Sequence, residues 1–148
     1  RQEVSTEGGL NVVAEVVAIT ETRRRMNEAG IEVSLFVDPD LAQIQAAAQT
    51  GTQFVELHTG QFAERFSDPN PRDEELSRLA AAAVAAHELG LRVNAGHGLN
   101  YHNLPFLRRV PHLVELNIGH GIISRALSVG LENAVREMLD LMEEFEGK

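Results

Sequence analysis

The chain has 148 residues, 43% of them hydrophobic, no Cys, no Trp and a formal charge of −9. That length supports one domain with its own core, the lack of Cys excludes disulfides and thiolate metal sites, and the acidity argues against a nucleic-acid surface. No run is apolar enough to span a bilayer and no secretory signal opens the chain, so a cytoplasmic protein is expected.

The first residue is Arg1 rather than Met, and RQEVSTEGG reads as the end of a loop, so an N-terminal part is expected to precede it. Residues 10–29 read as a helix closed by Gly30, with Glu21 and Arg25 one turn apart and able to pair. Ile31–Val37 is an apolar, β-branched strand. Asp38 is expected to cap the next helix, with Pro39 at its first position and Leu41, Ile44 and Ala48 on its inner face. Gly51 ends that helix. Phe54–His58 is the second strand and 60–71 a longer loop. Asn70–Pro71 then starts a helix whose first turn holds Asp73, Glu74 and Glu75, as the dipole favours. Leu76, Leu79, Ala80 and Ala83 face inward, and Gly90 closes it. A third strand near 91–96 runs into His97 and Gly98. A short helix spans Asn103–Arg109, a fourth strand 113–118, and a short helix 121–129. After Gly130, a final amphipathic helix is marked by Leu131, Val135, Met138, Leu139 and Met142.

Repeated strand–loop–helix units build a parallel sheet, and chemistry in such sheets sits at the carboxyl ends of the strands. VELHTGQF at 55–62 and VELNIGHG at 114–121 also resemble each other, which suits similar βα units. Four strands cannot close an eight-stranded barrel of roughly 250 residues, but they can be its second half. The expected fold is therefore α/β, a (β/α)8 TIM barrel. This chain would cover roughly the second half, with 1–148 the C-terminal portion of a single barrel domain.

The strand ends carry the candidate chemistry. His97 lies between two glycines, so backbone can approach a ligand while the imidazole donates or accepts a proton near neutrality. Its bland alternative is a histidine that steadies a tight turn. Gly119 and His120 stand where a strand becomes a short helix, whose first N–H groups attract anions. An ordinary βα turn is the alternative there. Glu56 shares one strand face with His58. A carboxylate inside a barrel would be an acid/base or charge-stabilising group with a shifted pKa, or else a structural partner of His58 or of an Arg. Glu115 holds the matching place and reads as structural. Tyr101 and His102 either cover the site or face solvent, whereas His87 and His112 read as surface or capping residues. A metal held by His58, His97, His120 and Glu56 is the competing reading, but no HxH or HExxH pair supports it.

EVSTEGGLNV, EVSLFVDPD, FVELHTGQFA, VNAGHGLNYHN and VELNIGHGIISRALSVGLENAVREM together resemble the pyridoxine 5′-phosphate synthase family, over essentially the whole chain. The resemblance is to roughly the last three-fifths of that family's (β/α)8 barrel. It implies the cofactor-free condensation of 3-amino-2-oxopropyl phosphate with 1-deoxy-D-xylulose 5-phosphate to pyridoxine 5′-phosphate, phosphate and water. It also implies a homo-oligomer. By the same resemblance His97 is the proton donor and Glu56 stabilises charge in the transition state. Gly98, Gly119 and His120 hold the aminoketone phosphate, and Thr6 contacts the deoxyxylulose phosphate. The family's other acid/base residues, a His and a Glu, lie upstream of the matched part, so this segment alone is expected to be inactive. The other readings are a metal-dependent barrel hydrolase or aldolase, and a non-catalytic phosphate-binding half-barrel.

Overall fold

The computed structural model describes residues 8–143. Four parallel strands form one sheet in chain order: β1 (Ser34–Val37), β2 (Phe54–His58), β3 (Arg92–Gly96) and β4 (Leu113–Asn117). Helix α1 (Val12–Glu28) precedes β1, and α2 (Leu41–Thr50) joins β1 to β2. A short α3 (Gly60–Glu64) and the long α4 (Pro69–Glu88) lie between β2 and β3. A 3₁₀ turn (Leu104–Arg109) leads to β4, and α5 (His120–Val129) and α6 (Leu131–Glu143) follow.

Strand alternation sorts the side chains into two faces. Leu35 and Val37, Val55 and Leu57, and Val93 and Ala95 are buried beneath α2 and α4, which pack on the strands. Burying a side chain such as Leu57 completely contributes about 1.5–3 kcal/mol. On the other face, Phe36 pairs with Glu56, Glu56 with Asn94, and Asn94 with Glu115 in one register row. The likeness of VELHTGQF to VELNIGHG is thus a likeness of position: Glu56 and Glu115 flank the same Asn94. Among the described residues β1 and β4 are the sheet's edges, although Leu10 N–H reaches Phe36 O on the outer side of β1 at 2.8 Å.

Several local expectations need correction. The first strand begins at Ser34 rather than Ile31: Ile31 N–H turns back to Met26 O and Val33 N–H donates to the Gln53 side chain, so only Val33 O reaches the second strand, accepting from Phe54 N–H. The N-cap of α2 is Asp40, whose carboxylate accepts from the N–H groups of Ala42 and Gln43. Asp38 does not cap; it accepts from Gly9 N–H and lies against His58. Starting the helix after Asp40 leaves Leu41 exposed, with Ile44, Ala46, Ala47 and Thr50 as the buried face.

The expected loop at 60–71 contains α3, and α4 begins at Pro69 behind an Asp68 cap. Glu75 is therefore beyond the first turn and 2% exposed, held by Arg65 at 2.9 Å and Arg78 at 2.8 Å. Glu21 pairs with Arg24 rather than Arg25. The expected inner face of α6 is only partly inward. Met138 and Ala134 are buried, whereas Leu131, Val135 and Leu139 are exposed, because the helix rests its Ala134 turn on the segment before β4, where Tyr101 donates to Ala134 O at 2.7 Å.

Candidate active site

A cleft of about 630 Å³ opens at the carboxyl ends of the strands. Glu56, His97, Gly98, Gly119 and His120 all line it, joined by Phe36, Asn100, Asn117 and Gly121. Thr6 lies outside the described residues.

Glu56 sits mid-strand on β2 and points to the open face. Its carboxyl group is pushed up from the ordinary glutamate value, chiefly because burial strips water from the charged form. Nearby Glu115 raises it further, while a hydrogen bond from Asn117 and the closeness of His58 oppose the rise. Gly96, one strand over, makes room for it: a Cβ there would come 2.3 Å from Glu56 Oε1.

His97 follows β3 with φ +83, in the left-handed region. For a non-glycine residue that costs about 1–3 kcal/mol, and it persists only where the surroundings enforce it. They do so from two sides. The buried Thr59 hydroxyl lies 2.7 Å from Gly96 O and 2.6 Å from His97 O, sharing its hydrogen between them, and Thr59 N–H donates to Gly96 O. On the far side, Asn103 Nδ2 donates to Gly98 O at 3.0 Å, and its Oδ1 accepts from Asn100 N–H. Gly98 itself has φ +75, and a Cβ on it would strike Ala63 at 2.6 Å. The His97 side chain, held this way, stays exposed to the cleft.

His120 is the first residue of α5, so the initial amides of that helix border the cleft without partners inside it. Gly119 immediately precedes α5, and a Cβ there would meet nothing within 4 Å among the described residues, so its missing side chain leaves open cleft. The glycine that packing demands is Gly121, where a Cβ would lie 2.8 Å from Leu99 O.

Among the described residues, no group of three or more His, Asp or Glu is placed to hold a metal ion. His58 Nδ1 is engaged by Asp38 Oδ1 at 2.9 Å. Tyr101 anchors α6 rather than covering the cleft, and His102 is exposed away from its lining. His87 and His112 stack on each other at 3.9 Å. Sequence reasoning missed Asp38, Thr59, Asn103 and Asn117 as parts of the site. Only Thr59 gave a local signal, as the hydroxyl between His58 and Gly60 in the turn after β2.

The family model described as pyridoxal phosphate biosynthesis protein PdxJ matches residues 1–144. A pyridoxine 5′-phosphate synthase of Idiomarina loihiensis is 52% identical over 143 residues, covering 97% of this chain and 59% of that protein. The protein of that name from Opitutus terrae is 55% identical over 138 residues, covering 93% and 56%, and that from Akkermansia muciniphila is 55% identical over 139. The chain thus spans 56–59% of the length of such relatives.

Proposed function

The chain belongs to the pyridoxal phosphate biosynthesis protein PdxJ family, and from that premise we propose that the protein it represents is a pyridoxine 5′-phosphate synthase. The reaction is the condensation of 3-amino-2-oxopropyl phosphate with 1-deoxy-D-xylulose 5-phosphate to pyridoxine 5′-phosphate, inorganic phosphate and water. The four parallel strands are the second half of a (β/α)8 barrel, and 1–148 are the C-terminal portion of that single domain. The polar row Glu56–Asn94–Glu115 supports this reading, because it would face the interior of a closed barrel.

One observation carries the proposal: the turns after β3 and β4 share a single cleft, with Glu56 in its wall. The first amides of α5, with Gly119 and His120, hold the phosphate of the aminoketone as a helix N-terminus holds an anion. Gly98 lets backbone approach the same group. Thr6 contacts the deoxyxylulose phosphate. Imine formation between amine and ketone places positive charge on nitrogen, and the carboxylate of Glu56 stabilises that charge in a site where water is scarce. His97 donates a proton to a departing oxygen in the dehydrations that follow. No resident cofactor is required by these steps.

The protein acts in the cytoplasm, where phosphorylated intermediates are retained by their charge; no helix among the described residues is long and apolar enough to cross a membrane. It works as a homo-oligomer, which the exposed Leu127, Leu131 and Leu139 support. The test is the full-length parent supplied with both substrates. Pyridoxine 5′-phosphate and equimolar phosphate are expected, unaffected by a chelator, and residues 1–148 alone are expected to give neither. Phosphate binding without product would replace the reading with a non-catalytic one, and loss of turnover with chelator would replace it with a metal-dependent one.

A further inference from the structure

We propose that Asp38, His58 and Thr59 form a seat that fixes the His97 imidazole over the cleft, and so are positioning residues for the reaction proposed above, on which this inference rests. The turn after β2 meets the turn after β3 through two successive side chains. Thr59 grips the backbone, its hydroxyl against His97 O at 2.6 Å. His58 grips the ring: the two imidazoles meet edge to face, 4.9 Å between centroids at 67°. Phe36 closes on the His58 ring at 5.0 Å. His58 is only 6% exposed.

The position of Asp38 explains why a histidine, rather than an apolar residue, fills this place. Its Oδ1 accepts from His58 Nδ1 at 2.9 Å, which fixes the tautomer with the hydrogen on Nδ1 and a lone pair on Nε2. Nε2 is buried and has no hydrogen-bond partner among the described residues. A phenylalanine would fill the space without that orphaned atom, so packing alone does not account for the imidazole. Gly60 preserves the arrangement. A Cβ there would lie 2.5 Å from His58 Nε2 and 3.2 Å from His97 Cδ2, between the two rings. The carboxylate orients His58, and His58 orients His97.

The experiment uses the full-length protein with Asp38→Asn, Thr59→Val and Thr59→Ser. Asp38 is exposed and Asn is nearly isosteric, so the fold should survive. The Oδ1 that meets His58 also accepts from Gly9 N–H, so Asn keeps its amide oxygen there and removes only the charge, and a neutral acceptor holds the Nδ1 hydrogen more weakly and lets the ring shift. Expected are a fall in kcat of about 10–10²-fold for Asp38→Asn and Thr59→Val, with KM changed by less than about threefold, since displacement of about 1 Å is enough. The pH profile of kcat should change shape in Asp38→Asn, and Thr59→Ser should recover most of the turnover. Histidine ¹⁵N NMR should show the His58 Nδ1 signal shifting in Asp38→Asn, as its charged acceptor is lost, and the His97 ring signals moving, without any substrate. If wild type makes no product, the reaction is wrong and the NMR arm still decides the seat. Unmoved His97 signals with wild-type kcat in Asp38→Asn and Thr59→Val would overturn the proposal, as would equal losses in Thr59→Ser and Thr59→Val.

Discussion

Gly119→Ala separates a phosphate cradle from an ordinary turn. The backbone there has φ −109, which alanine adopts, and a Cβ meets nothing within 4 Å among the described residues. Replacing Gly by Ala at an N-cap costs up to about 1 kcal/mol, offset by about 0.4–1 kcal/mol of entropy removed from the unfolded chain. The melting temperature should therefore stay within about 2–4 °C of wild type. The added methyl group projects into the cleft that His120 and Gly121 line. A phosphate pushed off one amide loses a charge-assisted hydrogen bond of about 1.5–3 kcal/mol, which is about 10- to 150-fold in Kd. Titration calorimetry of the full-length protein with the aminoketone phosphate reads this directly. Gly121→Ala is the contrasting variant: its Cβ would lie 2.8 Å from Leu99 O and 3.2 Å from Asn100 Cα, so it should lose about 1–3 kcal/mol of stability by overpacking. A Gly119→Ala protein that binds the phosphate as tightly as wild type would refute the cradle.

His97→Asn should cost about 10²–10⁴ in kcat with little effect on substrate binding; Asn tolerates positive φ, so steady-state kinetics would report the imidazole and not a broken turn, and a wild-type rate would remove His97 from the chemistry. Glu56 has its carboxyl raised by burial, so the folded chain holds that proton more tightly than the unfolded chain does. That stabilising contribution is complete below the unfolded carboxylate value and is lost as pH rises through the raised folded value. Glu56→Gln should therefore gain stability relative to wild type as pH climbs from 4 to 7, by less than about 1 kcal/mol because the group is half-exposed, while turnover falls; urea melts showing a difference that does not grow with pH would contradict this. Glu75→Ala should destabilise by about 1–3 kcal/mol, since it removes charge-assisted bonds to Arg65 and Arg78; an unchanged denaturation midpoint would mean those pairs contribute nothing.

The strands were legible as short apolar, β-branched runs, and their order because each run ends in a turn and a helix. The two aspartates around Pro39 show the limit. A proline at the first helical position favours Asp38 as the cap, yet Asp40 caps, because Asp38 is engaged by Gly9 and by His58, partners 29 and 20 residues away. Glu75 looked like a dipole-matching surface charge, because nothing local announces that the arginine at 65 folds back over it. Gly119 was singled out on paper for the anion site, whereas Gly121 passed without notice. Only the path of the chain past Leu99 makes one of them a packing requirement and the other an opening.

The arrangement of the site follows from the strand order. Adjacent strands lie about 4.8 Å apart, and β3 stands between β2 and β4. The turn carrying His97 must therefore lie between the turn carrying Thr59 and the turn carrying His120. From that central place it can be braced from one neighbour while a ligand is held by the other. The brace is observed: Thr59 and His58 contact His97 from the β2 side, while Gly119 and His120 border the cleft on the β4 side. Under the proposed reaction, an imidazole that meets a small phosphate ester in one geometry has reason to sit on the strained, middle turn, because there the sheet supplies both a support and, facing it within about 10 Å, the turn proposed to hold the anion. Moving the histidine to either outer turn would give up one of the two.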